Sequence, residues 1–354
     1  MAGLQSIRDI VRVARARQRR AFRLRRSETT RGTPCVYFLT PDYAAPSGGV
    51  RAMYQHVDIL NEQGIRAAVL HHRAGFRCRW FANDTVVRYV GATVLGPDDV
   101  VVVSELDIDL LAGLGHRQRY VIFNQGVHLT WRCGDTVRQA YESPRLLGLV
   151  TVSEHSAEFL RYAFPRCVVH VAHNSLDVDV FKPGAAERER VITFVPRRGY
   201  DDARLVLGML EERGALAGWC VRPLQGLSQA GFAEALRESL IYLALSTQEG
   251  FGLPALEAMA CGNYVVGYDG FGGREFFRPE FSTRVETGDV LQFAGRLESL
   301  LGADPAALAK QGQEASRHAH RRYSVANQRG EVLAAYRAML QLPAGAGERL
   351  LVQA

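Results

Sequence analysis

From residue 34 onward, short apolar runs alternate with longer stretches whose apolar positions recur at helical spacing. That alternation predicts parallel strands joined by crossover helices. The first strand is expected at Val36 to Thr40, followed by a loop through Pro46-Ser47-Gly48-Gly49 and a helix to about Asn61. Further strands are expected at Ala67 to His71, Val100 to Val103, Tyr120 to Phe123, Leu149 to Val152 and Val168 to Val171. A polar segment from Ala172-His173-Asn174-Ser175 to Arg190, with Lys182-Pro183-Gly184 inside it, interrupts the pattern and reads as a linker.

A second set of elements follows the linker. Strands are expected at Val191 to Val195, Trp219 to Val221, Ile241 to Leu245, Tyr264 to Gly267 and Thr283 to Glu286. Helices are expected between them at Asp201 to Arg213, Gly231 to Glu238 and Val290 to Leu301. The chain therefore reads as α/β, with two Rossmann-like domains at 34–172 and 191–340, a linker at 173–190, a basic tail at 1–33 and a C-terminal tail at 341–354.

Charge changes this picture at one place. The formal net charge is +6, but residues 1–31 hold ten arginines against Asp9 and Glu28, a surplus of +8 that leaves the remainder at −2. A slightly acidic body argues against a nucleic-acid-binding globular surface and confines polyanion affinity to the tail. Within the tail, Leu4, Ile7, Val11 and Ala14 recur at helical spacing among arginines. Two readings stay open there: a basic amphipathic helix on anionic lipid, or a solvated leader. No apolar stretch approaches the roughly 18 residues of a membrane span, and the charged N-terminus lacks the apolar core of a secretory signal. A cytoplasmic protein, peripheral at the inner face of the membrane if the tail binds there, is the expectation. Six scattered cysteines (Cys35, Cys78, Cys133, Cys167, Cys220, Cys261) form no close pair and read as reduced thiols.

The richest chemistry lies in Glu249-Gly250-Phe251-Gly252-Leu253-Pro254-Ala255-Leu256-Glu257. The apolar run before it reads as a buried strand, its glycines as a loop, and Pro254 as the first residue of a helix reaching about Cys261-Gly262, with Glu257 in the first turn. Unpaired helix-start amides and closely approaching glycine backbone suit a phosphate, whereas carboxylates suit sugar hydroxyls. Phosphate plus hydroxyls describes a nucleotide sugar. The stretch Ser246 to Gly262 resembles the Glu-x7-Glu signature of the retaining glycosyltransferases of family 4, agreeing at both glutamates, at Gly-Phe-Gly-Leu-Pro and at Glu-Ala-Met-Ala-Cys-Gly. Segments Pro46 to Arg51, Val152-Ser153-Glu154, Asn174 to Pro183 and Gly272-Gly273-Arg274-Glu275 fall in the order that family shows. The resemblance implies the glycosyltransferase-B architecture, two Rossmann-like domains facing across a cleft, the first on the acceptor side and the second binding the nucleotide sugar.

The resemblance also implies residue roles. Gly48 and Gly49 match a glycine loop that approaches the donor diphosphate. Arg197 matches a phosphate-binding arginine, while the lysine expected about six residues later is absent; Arg204 is the cation nearest that place, one residue late from Arg197 and in register from Arg198. The partition of the diphosphate among these three arginines stays open. Glu257 is assigned to ribose hydroxyls and Glu249 to the donor hexose near the anomeric centre, with the amides of Gly250, Phe251, Gly252 and the neighbouring Leu253 toward sugar and phosphate. Leu227 and Ser228 read as base-side contacts. Where the family often has a histidine after the strand Tyr120 to Phe123, this chain has Asn124-Gln125-Gly126-Val127-His128; Gln125 takes the usual position, and His128 follows as a further candidate. Asp107-Ile108-Asp109 invites a metal reading, but a charged helix start explains it more simply, so no metal site is assigned.

The expected activity is a metal-independent, retaining hexosyl transfer from a nucleoside-diphosphate sugar to an acceptor hydroxyl, with no cofactor, in bacterial-type surface or lipid-linked glycan synthesis. The alternatives are a nucleotide-sugar epimerase of the same fold and a non-enzymatic basic-tailed protein that binds membrane or nucleic acid. A pyridoxal-phosphate phosphorylase would need a Schiff-base lysine, and Lys182 and Lys310, the two lysines of the chain, sit in the linker and a late helix.

Overall fold

The computed structural model describes residues 24–29, 32–114, 117–184 and 188–342. The expected basic amphipathic helix, at Leu4 to Ala14, and residues 343–354 of the expected C-terminal tail lie outside the described residues. The chain divides into two compact units, each built on a parallel sheet.

The first unit comprises the described residues up to Val150, Leu160–His170, and the described residues from Val332 onward. Its sheet is formed by β1 (Val36–Leu39), β2 (Ala67–His71), β3 (Val87–Tyr89), β4 (Val100–Ser104), β5 (Arg119–Asn124), β6 (Leu146–Thr151) and β7 (Val169–Val171) in the order β3-β2-β1-β4-β5-β6-β7. Its central strands are buried on both faces, which is why they read as unbroken apolar runs: Val101, Val102 and Val103 are wholly inaccessible, as are Phe38 and Val69. Helix α1 (Gly48–Glu62) starts at Ser47, whose hydroxyl accepts from the Val50 amide at 3.4 Å, and buries Val50, Met53, Val57 and Leu60. Helix α2 (Thr136–Tyr141) and a 3₁₀ turn at Val127–Cys133 follow β5.

Helix α3 (Glu154–Ala163) passes from one unit to the other. The second unit holds Thr151–Phe159 and Val171–Glu331. Its sheet consists of β8 (Glu189–Phe194), β9 (Cys220–Pro223), β10 (Ser239–Ala244), β11 (Tyr264–Tyr268) and β12 (Ser282–Val285) in the order β9-β8-β10-β11-β12, with α4 (Tyr200–Glu212), α5 (Gln229–Glu238), α6 (Leu253–Ala260), α7 (Val290–Leu301), α8 (Pro305–Arg322) and α9 (Val325–Leu340) as its later helices. Every residue of β10 and β11 is buried. Ile192, Leu243 and Val266 from three neighbouring strands pack with Val206 and Leu210 of α4 and Phe293 and Leu297 of α7, each such side chain contributing about 1.5–3 kcal/mol on burial.

The division by contacts does not run linearly along the chain. Residues 173–184, read as linker, sit in the second unit, and the end of α9 returns to the first. Strand β3 was not expected; its three half-exposed or exposed residues give no apolar run to read. Gly48 and Gly49 form the first turn of α1 rather than a loop before it. Helix α6 starts at Leu253, one residue before Pro254, so Glu257 falls in its second turn and no acidic residue lies in the first. Among the described residues, no helix is long and apolar enough to cross a membrane.

Candidate functional site

In the second unit, the carboxyl ends of three neighbouring strands supply one cluster, the usual place for a ligand on an open parallel sheet. Strand β8 leads to Arg197, Arg198 and Gly199, β10 to Glu249, and β11 to Asp269-Gly270-Phe271. Arg198 forms an ion pair with Glu249, whose side chain is 16% exposed. Glu249 is also fixed through its backbone, its amide donating to the Gly270 carbonyl at 2.8 Å. Arg197 and Arg204 are exposed, the first in the turn before α4 and the second on α4 itself.

The loop after Glu249 is held by its glycines. Gly252 adopts φ +94°, a left-handed conformation, and stands at the N-cap of α6. No side chain caps that helix, whereas Ser228 caps α5, Asp289 caps α7 and Asp304 caps α8 through hydroxyl or carboxylate oxygens. The α6 N-terminus thus keeps backbone donors and the positive end of its dipole available to an anion. Tyr242, Glu249, Gly252, Pro254, Asp269 and Gly270 line a small pocket there. Burial pushes the Tyr242 phenol well above its usual range, and the neighbouring Glu257 and Glu249 carboxylates add to it, so both glutamates bear on one buried ring.

The Phe251 side chain points into the core, 5.4 Å from the Tyr323 ring and 5.9 Å from Phe276, leaving its backbone as the part available to a ligand. The Gly250 carbonyl is taken by the Ser153 hydroxyl, which donates to it at 2.7 Å from the start of α3. Asp269 organises the adjoining loop: it accepts from the Phe271 amide at 2.8 Å and pairs with Arg284 at 2.7 Å and Arg274 at 3.2 Å. Glu275 accepts from the Glu154 amide at 3.0 Å and pairs with His173 at 2.9 Å. His173 meets Glu331 on its other side at 2.9 Å, and these two carboxylates raise its pKa to about 9 against the opposing effect of burial.

The first unit has its own cluster at the carboxyl ends of β1, β4 and β5. The Gln125 side-chain amide donates to the Gly49 carbonyl at 3.1 Å, and a Cβ on Gly49 would stand 3.1 Å from Gln125 Oε1, so a larger residue there would push the Gln125 side chain back by a few tenths of an ångström. The Gln125 backbone amide donates to buried Glu105 at 3.1 Å. His128 is exposed in the 3₁₀ turn.

The structure therefore gathers Arg198, Glu249, Gly250, Gly252, Leu253 and Glu257 around α6, and Gly48, Gly49 and Gln125 around α1. Ser228 serves as the α5 cap, and Leu227 is exposed beside it. Asp107 and Asp109 lie at the start of a 3₁₀ helix, Ile108–Leu114, and no group of three or more metal-ligating side chains occurs among the described residues. Sequence reasoning assigned no role to Ser153, Asp269, Glu275 or Glu105. Ser153 and Glu275 stood inside segments noted for their order, but their partners lie about a hundred residues away and leave no local trace.

Residues 221–318 match the family described as glycosyl transferases group 1. An alpha-1,6-glucosyltransferase of Actinobacillus pleuropneumoniae serotype 7 (strain AP76) is 25% identical over 236 residues, covering 64% of this chain and 70% of that protein. Among solved structures, sucrose-phosphate synthase from Thermosynechococcus elongatus superposes with a TM-score of 0.67 at 13% identity, covering 88% of this chain and all of that one. Anabaena HepE, solved in complex with UDP-glucose, gives 0.63 at 14% identity over 86% of this chain and 99% of its own. The fold is that of the glycosyltransferase-B enzymes, and the matches support glycosyl transfer.

Proposed function

We propose that this protein is a retaining, metal-independent glycosyltransferase that moves a hexose from a nucleoside-diphosphate sugar to an acceptor hydroxyl. The observation that carries the reading is the convergence, at one end of the second sheet, of the Arg198–Glu249 pair and an α6 N-terminus with no side-chain cap. Such a place offers charge-assisted donors to a diphosphate and carboxylate acceptors to sugar hydroxyls. The family match covers Glu249, α6 and the Asp269 loop, and HepE, a structural neighbour, was solved with UDP-glucose.

In this reading Arg198, with Arg197 or Arg204, holds the donor diphosphate together with the amides of Gly252 and Leu253. Glu257 accepts from ribose hydroxyls, and Glu249 accepts from the hexose once the diphosphate draws Arg198 away. The bond between the anomeric carbon and the phosphate oxygen breaks with its electron pair passing to the diphosphate, and the fixed cations and amides stabilise that charge. The acceptor oxygen attacks the same face, and its proton passes to the departing phosphate, so no side-chain base is needed. Gly48 and Gly49 keep the donor-diphosphate role that the resemblance implies, and Gln125 and His128 the place near the transferred sugar. A glycan or lipid-linked acceptor in bacterial-type surface glycan synthesis, and a cytoplasmic site at an anionic membrane surface reached through residues 1–31, fit the +8 charge of that segment.

Differential thermal stabilisation across a panel of nucleoside-diphosphate hexoses tests the donor assignment, since a ligand at a hundred times its Kd stabilises by about 2.7 kcal/mol. Proton NMR of the product tests retention: the anomeric configuration of the donor is expected in the product, and its inversion would refute the proposed mechanism.

A further inference from the structure

Glu105 follows β4 directly and is 3% exposed, yet no part of the proposed reaction uses it. Its Oε2 accepts from the Gln125 amide at 3.1 Å, and the Gly126 amide also donates to this carboxyl. Its own carbonyl accepts from the Cys133 thiol at 3.6 Å, so Glu105 touches both ends of the segment 125–133 that carries His128. Gly126 lies between the two side chains: a Cβ there would stand 3.3 Å from His128 Cε1 and 3.4 Å from Glu105 Oε1. From the same segment Gln125 reaches across to the Gly49 carbonyl.

We propose that Glu105 is a positioning residue, its buried carboxyl setting the 125–133 segment so that Gln125 is held on the Gly49 backbone and His128 is presented beside it. The proposal rests on the transferase reading for its kinetic consequence alone. Titratable groups facing Glu105 are Asp107 from its own turn, Tyr141 from α2, and Cys133 and His128 from the 3₁₀ turn. Burial, with Asp107 adding to it, pushes the Glu105 carboxyl up to about 7. An opening that wets Glu105 restores an ordinary carboxylate and releases a proton. Opening of the segment is therefore linked to pH, becoming easier as pH rises between the ordinary value and about 7 and level above it.

The test compares the full-length wild type with Glu105→Gln, which keeps a carbonyl acceptor for the amides but cannot ionise. Hydrogen exchange of residues 124–134, corrected for intrinsic rates, is expected to report about fortyfold more opening at pH 7 than at pH 5 in the wild type, and no change in the variant. With UDP-glucose, or whichever nucleoside-diphosphate hexose stabilises the protein, Glu105→Ala and Gln125→Ala are both expected to lower kcat about tenfold or more while leaving the donor KM within about twofold, and Glu105→Gln to retain most of the wild-type kcat. Equal pH dependence of opening in wild type and Glu105→Gln would overturn the proposal. So would an unchanged kcat in Glu105→Ala, which would make the residue structural alone. If the wild type turns over no nucleotide sugar, the transferase reading fails, and the exchange comparison still decides whether Glu105 holds the segment.

Discussion

Arg198 and Glu249 form an ion pair in which each screens the other's charge. Arg198 is nearly half exposed, which keeps the pair weak and, in the proposed reading, exchangeable for a diphosphate. Arg198→Ala is expected to weaken donor binding roughly 10- to 100-fold, the loss of a charge-assisted bond worth about 1.5–3 kcal/mol, as read by titration with the preferred nucleotide sugar. Arg198→Lys should recover only part of it, because an ammonium lacks the bidentate fork. The residues around this pair were legible because the chemistry is local in sequence: nine positions carry the glutamates, the glycines and the helix start. What was not legible is which of the three arginines meets Glu249. Spacing favoured Arg197 and Arg204 as much as Arg198, and it is the turn at Gly199 that brings Arg198 onto Glu249, all three arginines staying exposed.

At the scale of elements, the α6 loop depends on groups outside it. The Ser153 hydroxyl on the Gly250 carbonyl is buried, so Ser153→Ala leaves that carbonyl without this donor and should cost about 1–3 kcal/mol in thermal or denaturant unfolding, with a weaker donor affinity alongside. The His173 bridge between Glu275 and Glu331 has a pH signature. Its folded pKa of about 9 lies above the ordinary value of 6.5, so its stabilisation is complete below about pH 6.5 and disappears as pH rises through 9. The loss is on the order of 3 kcal/mol across that window, and His173→Gln should flatten the unfolding midpoint between pH 6.5 and 9. Strand and helix positions were predictable from apolar runs because parallel strands are buried on both faces. Element ends were less so: Pro254 marks a helix start but occupies either of the first two positions, and that single residue moves Glu257 from the first turn to the second.

For the whole molecule, charge is distributed so that residues 1–31 hold +8 and the remainder −2. Deleting residues 1–31 is expected to abolish co-sedimentation with vesicles rich in anionic lipid at low salt, while leaving donor binding intact, and high salt should mimic the deletion. Two parallel sheets, each with polar side chains gathered at the carboxyl ends of its central strands, account for the likeness to glycosyltransferase-B structures at identities of 13–14%. The central claim is a nucleoside-diphosphate sugar site built from Arg198, Glu249, the α6 N-terminus and Glu257. Calorimetric titration of the wild type and Glu257→Ala with the same panel of nucleotide sugars tests it most directly. Saturable binding of one nucleoside-diphosphate hexose, weakened roughly tenfold or more in Glu257→Ala, is the predicted result. Equal affinity in the two proteins, or no binding of any nucleotide sugar by the wild type, would contradict it.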